Sequence, residues 1–257
     1  MSTTSVNSSN RTHNDSIMTS ILRTTWFWAS FWVITAILFT ALFMGYALYL
    51  LLAPRKKQLF AHKMACLWGV LVFKANPGWT YELRGSKNLP KEGAVIVANH
   101  SSGMDICAIL ATNIQFRFLS KASVFKVPLI GNAMKLAGYV PITRGAKGSH
   151  KEALNKSSEW IHKGVPMVFY PEGTRSLDGK IAPFKSGAFR LAIAENVPII
   201  PLVIKGTNEM MKKNSFAPRP AHVIIDALEP VYPAAADEQT SLSNRIREKM
   251  IQRHNNL

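Results

Sequence analysis

A single uncharged apolar stretch constrains this chain more than any other feature. Residues 26–53 contain no Asp, Glu, Lys or Arg over 28 positions. As a helix the stretch would be about 42 Å long at ~1.5 Å per residue, whereas the hydrocarbon core of a bilayer is about 30 Å thick. Tryptophans lie near its start and tyrosines near its end, where the two membrane interfaces would be. We therefore predict a transmembrane or membrane-anchoring helix over 26–53.

The segments beside this stretch predict its orientation. Residues 1–25 are rich in Ser, Thr and Asn, and we expect them to form a disordered polar tail. Four cations follow the stretch within ten residues and no acid is among them: Arg55, Lys56, Lys57 and Lys63. By the positive-inside rule, residues 54–257 lie in the cytoplasm. The expected location is the cell inner membrane, with the domain that follows the helix on the cytoplasmic side.

Residues 54–80 form a second, shorter unit. The part from 59 to 73 is mostly apolar but too short for a confident second span. We expect an interfacial helix and linker over 54–80, with the helix at the membrane surface or packed on the following domain. A re-entrant hairpin with the first helix is the alternative.

From about residue 81 the pattern changes to short β-branched runs that alternate with helical periodicity. The predicted strands are 94–98, 116–120, 139–143, 167–170, 199–205 and 222–227, and the predicted helices are 104–111, 128–137, 149–162, 187–195 and 241–253. This alternation predicts an α/β domain over 81–257, with a mixed, largely parallel sheet flanked by helices. The site of such a sheet lies beyond the carboxyl ends of its strands.

The composition limits the function classes. Lys and Arg number 31 against 15 Asp and Glu, and hydrophobic residues make up 47% of the chain. A disordered chain would have far fewer apolar residues. The positive charge favours an anionic membrane surface or a phosphorylated substrate over nucleic acid, because no nucleic-acid-reading motif occurs. The two cysteines, Cys66 and Cys107, are expected to be reduced thiols in a core or a membrane-facing surface.

His100 and Asp105 are the first candidate catalytic pair. His100 directly follows a predicted strand, and Asp105 falls in the first turn of the next predicted helix. A His and an Asp at this spacing can meet across the strand–turn–helix corner and act as a general base. A turn histidine beside an ordinary helix-terminal acid is an equally good interpretation of these two residues alone. A metal site is not expected, because no other ligand types lie at supporting spacing.

Two further segments indicate anion binding. The loop after the strand 167–170 carries a carboxylate, a glycine, a hydroxyl and a guanidinium in succession: Glu172, Gly173, Thr174 and Arg175. Arg175 is suited to a phosphate, and backbone N–H groups near Gly173 would add to an anion nest. In addition, residues 106–151 contain seven cations and no acid, and Arg144 ends a predicted strand on the side of the site.

The motifs together resemble those of the PlsC-type glycerolipid acyltransferase family. The family pattern N-H-x-x-x-x-D is matched by Asn99, His100 and Asp105, and G-x-x-x-I-x-R by Gly138, Ile142 and Arg144. The pattern F-P-E-G-T-R-S is matched over 170–176 except for its first residue, which is Tyr170 here, and V-P-I-[IV]-P-[VL] is matched over 197–202. The resemblance covers roughly residues 81–228, and Pro141 replaces a Phe that many members carry.

The resemblance implies a reaction and a set of roles. A fatty acyl group passes from acyl-CoA or acyl-carrier protein to the free sn-2 hydroxyl of 1-acyl-glycerol 3-phosphate, which gives phosphatidate. His100 is implied as the base, supported by Asp105. Arg144 and Arg175 are implied to hold the phosphate, and Glu172 and Gly173 to position the glycerol. The expected partners are the lysophospholipid, the acyl donor and the membrane, with no cofactor, metal or nucleic acid.

Two alternatives remain open at this point. The first alternative is an acyltransferase of the same family that acts on another lysophospholipid, a lyso-ornithine lipid or glycerol 3-phosphate. The second alternative is a protein of a different class, a membrane-anchored binder of anionic lipid without turnover. The cations and the apolar helix alone would be enough for that function.

Overall fold

The computed structural model describes residues 5–143, 145–146, 148–234 and 237–257, without the side chains of residues 5–16 and 55. The helices are α1 (Ser5–Leu52), α2 (Lys57–Lys74), α3 (Met104–Ala111), α4 (Ile130–Leu136), α5 (Ser149–His162), α6 (Gly187–Glu195), α7 (Thr207–Met210) and α8 (Gln239–Asn255). The strands are β1 (Trp79–Arg84), β2 (Val95–Ala98), β3 (Arg117–Lys121), β4 (Val140–Ile142), β5 (Met167–Phe169), β6 (Ile199–Lys205) and β7 (Ala221–Ala227).

In the described part of the chain the strands form one seven-stranded sheet. Their order is β1-β7-β6-β2-β5-β3-β4, and the pairs are parallel except for the antiparallel pair of β6 and β7. The central strand β2 is completely buried because both sheet faces are covered by apolar clusters. A strand buried on both faces is a continuous apolar run rather than an alternating one, as in Val95–Ala98. The predicted mixed, largely parallel sheet flanked by helices is confirmed.

Six of the seven strands match predicted strands, and β1 was not predicted. Its residues, Trp79–Arg84, have a partly exposed pattern and carry charges, so they lack the apolar run that marked the other strands. The strand pairs in parallel with β7 from Trp79 to Arg84. The folded domain therefore begins two residues before the expected boundary at 81.

Helix α1 is longer than the predicted span. It includes residues 5–25, which the sequence analysis assigned to a disordered polar tail. No Pro or Gly occurs before Gly45, so nothing in this segment interrupts a helix that extends backwards from the apolar stretch. Within the described residues, Ile17–Leu52 is the one helix long and apolar enough to cross a membrane, and many of its large apolar side chains are exposed.

Helix α2 contacts both α1 and the domain. The Trp68 indole donates to Thr35 Oγ1 at 2.9 Å, and Tyr49 stacks on Phe60, so α1 and α2 form an antiparallel hairpin. On its other side Gly69 lies so close to α3 that an added Cβ would be 2.9 Å from the backbone nitrogen of Ala111. The helix predicted over 59–73 therefore packs on the domain and also pairs with the first helix.

A buried polar group fixes α2 to the sheet. His62 Nδ1 lies 3.0 Å from the Tyr139 hydroxyl, and its Nε2 lies 2.8 Å from the backbone oxygen of Ile114. Burial lowers the pKa of His62 to about 4, so the ring is neutral at physiological pH. Cys66 and Cys107 are buried free thiols, and burial raises the pKa of each to about 12.

Candidate active site

The strand register brings three loops together at one edge of the sheet. Val95 of β2 pairs with Met167 of β5 on one side and with Ile199 of β6 on the other. Because these strands are parallel, the segments that follow Ala98, Phe169 and Lys205 leave the same edge. Those segments carry His100, Glu172 and Thr207, which lie far apart in the sequence.

Asn99 fastens the end of β2 to β6. Its side-chain amide donates to the backbone oxygen of Ile204 at 2.8 Å, and its side-chain oxygen accepts from the Ile204 N–H at 2.8 Å. These two bonds extend the pairing of β2 with β6 beyond its last residue pair, which is Ala98 with Leu202. The asparagine of the first motif therefore fixes the point from which His100 projects.

His100 and Asp105 form the predicted hydrogen-bonded pair. His100 Nδ1 lies 2.7 Å from Asp105 Oδ2, and the aspartate is completely buried in the first turn of α3. With an ionised aspartate, Nδ1 carries the proton and Nε2 keeps a free electron pair. This is the tautomer that a general base requires.

Asp105 has three further donors. Its Oδ2 also accepts from the backbone N–H groups of Ser101, at 2.8 Å, and Ser102, at 2.9 Å. Its Oδ1 accepts from the hydroxyl of Thr207 at 2.5 Å, and Thr207 Oγ1 in turn lies 3.2 Å from Ser101 Oγ. Four donors on one buried carboxylate compensate for its removal from water.

Glu172 holds the backbone of His100. Its Oε1 accepts from the His100 N–H at 2.7 Å, and its Oε2 accepts from the Ala182 N–H at 2.9 Å. Burial raises the pKa of Glu172, and these two N–H groups oppose that rise. The sequence analysis expected this carboxylate to position the glycerol. Both of its oxygens accept from backbone donors, so it holds the backbone at His100, and its contact with the glycerol stays a prediction.

Tyr170 lies flat against the imidazole of His100. The ring centroids are 4.1 Å apart and the planes differ by 23°. The Tyr170 hydroxyl is buried and has no hydrogen-bond partner among the described residues, and burial raises its pKa well above the usual value. The aromatic face therefore restricts the rotation of the imidazole, and the hydroxyl adds nothing to that contact.

His100 lines a cationic cavity of about 480 Å³, called here the catalytic cavity. Its charged lining residues are all cationic or imidazole, namely His100, Lys121, His150, Lys151, Lys185 and Arg190. Among the described residues that line it, none is an Asp or Glu. A cavity with this lining attracts phosphate-bearing ligands.

A second cavity, called here the apolar cavity, lies between the helical hairpin and the domain. It has a volume of about 230 Å³ and is lined by side chains of α1, α2, α3 and α4, nearly all of them apolar. Ile106, Ser120 and Val124 line both this cavity and the catalytic cavity. The two cavities are therefore neighbours that share part of their lining.

The remaining predicted residues occupy different places. Gly173 lines the catalytic cavity with a φ of 72°, and an added Cβ there would lie 2.9 Å from Lys185 Nζ. Thr174 is exposed. Arg175 lies beside Gly103, next to the apolar cavity, and its backbone oxygen accepts from Lys213. Arg144 lies outside the described residues.

Sequence reasoning missed Lys185 and Thr207. Lys185 sits in the segment before α6, thirteen residues after Glu172, and only its position in a short Pro-Phe-Lys-Ser-Gly run could have drawn attention to it. Thr207 carried no signal, because its relation to Asp105 depends on β6 lying next to β2. That sheet order is not readable from spacing.

Replacing Thr207 by Val is expected to lower kcat by about tenfold or more with little change in KM. The substitution keeps the shape but removes a hydrogen bond to a buried carboxylate, and bonds to charged groups contribute about 1.5–3 kcal/mol. Thr207→Ser should restore most of the rate. Thr112→Val, which removes a hydroxyl bond to Ile109 at the far end of α3, is the matched control. Equal losses in Thr207→Val and Thr112→Val would contradict the positioning role.

Comparisons with known proteins find similarity to acyltransferases. A family model described as Acyltransferase matches residues 80–205. A chloroplastic 1-acyl-sn-glycerol-3-phosphate acyltransferase of Brassica napus is 37% identical over 169 residues, which are 65% of this chain and 48% of the relative. The corresponding chloroplastic protein of Arabidopsis thaliana is 36% identical over 180 residues, which are 69% and 50% of the two chains. This chain thus spans about half the length of these relatives.

A solved structure resembles nearly the whole chain. The crystal structure of the 1-acyl-sn-glycerophosphate acyltransferase PlsC from Thermotoga maritima superposes with a TM-score of 0.80 at 26% sequence identity. The match covers 93% of this chain and 96% of the other. Residues 80–205 of this chain therefore form a domain of the acyltransferase family.

Proposed function

We propose that this protein transfers a fatty acyl group from a thioester donor to the sn-2 hydroxyl of 1-acyl-glycerol 3-phosphate and forms phosphatidate. One observation supports this most: His100, paired with Asp105, lines a cationic cavity that shares lining residues with an apolar one. A lysophosphatidate and an acyl thioester each combine an anionic part with a long apolar chain. The names of the relatives point to the same reaction.

The proposed reaction needs only the chain's own residues and its two substrates. His100 Nε2 takes the proton of the sn-2 hydroxyl as its oxygen attacks the thioester carbonyl carbon. The carbon–sulfur bond then breaks, and the leaving thiolate receives the proton from the imidazolium. Asp105 stabilises the imidazolium between these two events. No acyl-enzyme is formed, and no cofactor takes part.

The acceptor phosphate is proposed to bind the cations nearest to His100. The sn-2 oxygen and the phosphorus of lysophosphatidate are separated by only a few covalent bonds, so the phosphate must lie close to the base. Lys185 is the first candidate, because it touches Gly173, which follows the Glu172 that holds His100. Lys121, at the end of β3, lines the same cavity. Arg175 lies beside Gly103, which lines the neighbouring apolar cavity.

The acyl chain of the donor is proposed to lie in the apolar cavity. Ala133→Phe, which fills part of that cavity from α4, should shift preference toward shorter donors. Losing room for two methylene groups at ~0.8 kcal/mol each would change the lauroyl-to-palmitoyl preference by about fifteenfold. Asn132→Phe, on the exposed neighbouring residue, is the control. A preference that follows the acceptor chain instead would contradict this assignment.

The long helix is proposed to hold the domain at the cytoplasmic face of an inner membrane. The cations after the helix favour that side, and acceptor and product are both membrane lipids. The catalytic cavity would then draw anionic lipid from the adjoining leaflet.

An acceptor panel tests the proposed function. Lysophosphatidate, a monoacylglycerol, a lyso-ornithine lipid and glycerol 3-phosphate are each supplied with palmitoyl-CoA, and the product lipid is identified by mass. We expect the highest kcat/KM for lysophosphatidate. A clear preference for the monoacylglycerol or the lyso-ornithine lipid, neither of which carries a phosphate, would contradict the acceptor. Vesicle binding without release of thiol from any donor would favour the non-catalytic lipid binder.

A further inference from the structure

The catalytic cavity holds more positive charge than the acceptor requires. Besides Lys121 and Lys185, it is lined by Lys151 and Arg190, called here the outer cations. Lys151 lies in the first turn of α5 and Arg190 in the second turn of α6. Both side chains are exposed, and neither has a hydrogen bond or ion pair to any described residue. A single acceptor phosphate near His100 leaves these two cations without a ligand.

The outer cations lie on different elements from Lys121 and Lys185. They lie on α5 and α6, whereas Lys185 touches Gly173 in the loop that holds His100, and Lys121 ends β3. The phosphate of a bound lysophosphatidate is tied to the reacting oxygen by a few bonds, and Lys121 and Lys185 are proposed to hold it. A second phosphate, at the outer cations, must then belong to the other substrate, which is the acyl donor.

Part of the lining of the catalytic cavity is apolar. Ile142, Ala153 and Leu154 line the same cavity as Lys151. The first turns of α5 and α6 also line it, through His150 and Gly187. The N-terminus of a helix carries a partial positive charge, which adds to the charge of the cations there. The cavity thus suits a ligand with an apolar segment that precedes an anionic group.

We propose that Lys151 and Arg190 bind the phosphate of the phosphopantetheine arm that carries the acyl thioester. This arm has a dimethyl-substituted segment next to its phosphate, which matches the apolar part of the lining. Its phosphate is a second anionic group beside that of the acceptor, which matches the second pair of cations. Acyl-CoA and acyl-carrier protein share this arm. The inference rests on the proposed function, because it assigns the donor's part of the same cavity.

The test separates donor from acceptor kinetics. In the double variant Lys151→Met with Arg190→Met, the KM for palmitoyl-CoA should rise about tenfold, while the KM for lysophosphatidate and kcat stay near their original values. With S-palmitoyl-pantetheine, which lacks the phosphate, variant and wild type should behave alike. Lys156→Met is the matched control, since Lys156 lies on α5, pairs with Glu152 and does not line the cavity.

Specific results would overturn the assignment. A raised KM for lysophosphatidate with an unchanged donor KM would assign the outer cations to the acceptor. An equal rise with S-palmitoyl-pantetheine would exclude a phosphate contact. The same KM measurement is repeated with palmitoyl-carrier protein as the donor. A rise with both donors supports a contact to the phosphate of the arm that they share. A rise with palmitoyl-CoA alone would assign the outer cations to the nucleotide part of CoA and overturn the proposal.

An equilibrium measurement keeps this inference separate from the proposed function. Calorimetric titration of the full-length wild type with CoA requires no turnover. If the wild type binds CoA and the double variant binds it about tenfold more weakly, the donor site stands even if lysophosphatidate is not the acceptor. Equal CoA affinity of the two proteins would contradict the site whatever the acceptor is.

Discussion

Replacing His100 by Ala is expected to lower kcat by about 10²–10⁴-fold, the usual contribution of a positioned general base. The loss should fall on kcat rather than on either KM, because no other contact to the substrates is assigned to the imidazole. The fold should persist. The bonds from Glu172 and Ser176 to residue 100 use its backbone N–H and carbonyl, which alanine retains.

The control for this variant is another histidine that is paired with a carboxylate. His162, at the end of α5, lies 2.5 Å from Glu195 and is mostly exposed outside both cavities. His162→Ala should leave the rate close to that of the wild type. Steady-state rates and the Tm of all three proteins are measured under the same conditions. Near-normal turnover in His100→Ala with an unchanged Tm would contradict the general-base role.

Asp105→Asn is expected to have the second largest effect, a loss of about 10²–10⁴-fold in kcat. The amide no longer stabilises the imidazolium, and its NH₂ group presents a donor where donors already converge from Ser101, Ser102 and Thr207. His100 would then tend toward the wrong tautomer. Some loss of stability is also expected, because a buried group that mismatches its partners costs about 1–3 kcal/mol.

A double-variant measurement distinguishes catalysis from folding in this case. His100→Ala and Asp105→Asn act through the same proton transfer, so the double variant should be little slower than His100→Ala alone. Glu195→Gln is the control, because it alters the exposed pair at His162 in the same way. A double variant whose losses multiply fully would mean that Asp105 does not act through His100.

The sequence predicted most of the sheet because its strands are buried on both faces. Val95–Ala98 and Ile199–Lys205 are apolar runs that stand out without any knowledge of their neighbours. β1 did not stand out, because an edge strand with exposed and charged positions has no such run. Likewise α1 extends into a Ser- and Asn-rich segment whose composition alone suggested a tail.

The candidate site likewise contains some contacts that the sequence predicted and others that it could not predict. His100 and Asp105 are five residues apart, so a local corner brings them together and spacing was enough to pair them. Glu172 could be picked out as a functional carboxylate, but its engagement by the N–H groups of His100 and Ala182 is a tertiary contact. Thr207 meets Asp105 only because β6 lies beside β2, so no local pattern could identify it.

The measurement that tests the central claim most directly follows both products of one reaction. Purified wild-type protein receives palmitoyl-CoA and lysophosphatidate, and free thiol and phosphatidate are measured at the same time points. The account predicts equal amounts of the two products, and little thiol release when lysophosphatidate is omitted. Thiol release without phosphatidate, or a palmitoylated protein detected by intact mass, would contradict direct acyl transfer by the His100–Asp105 pair.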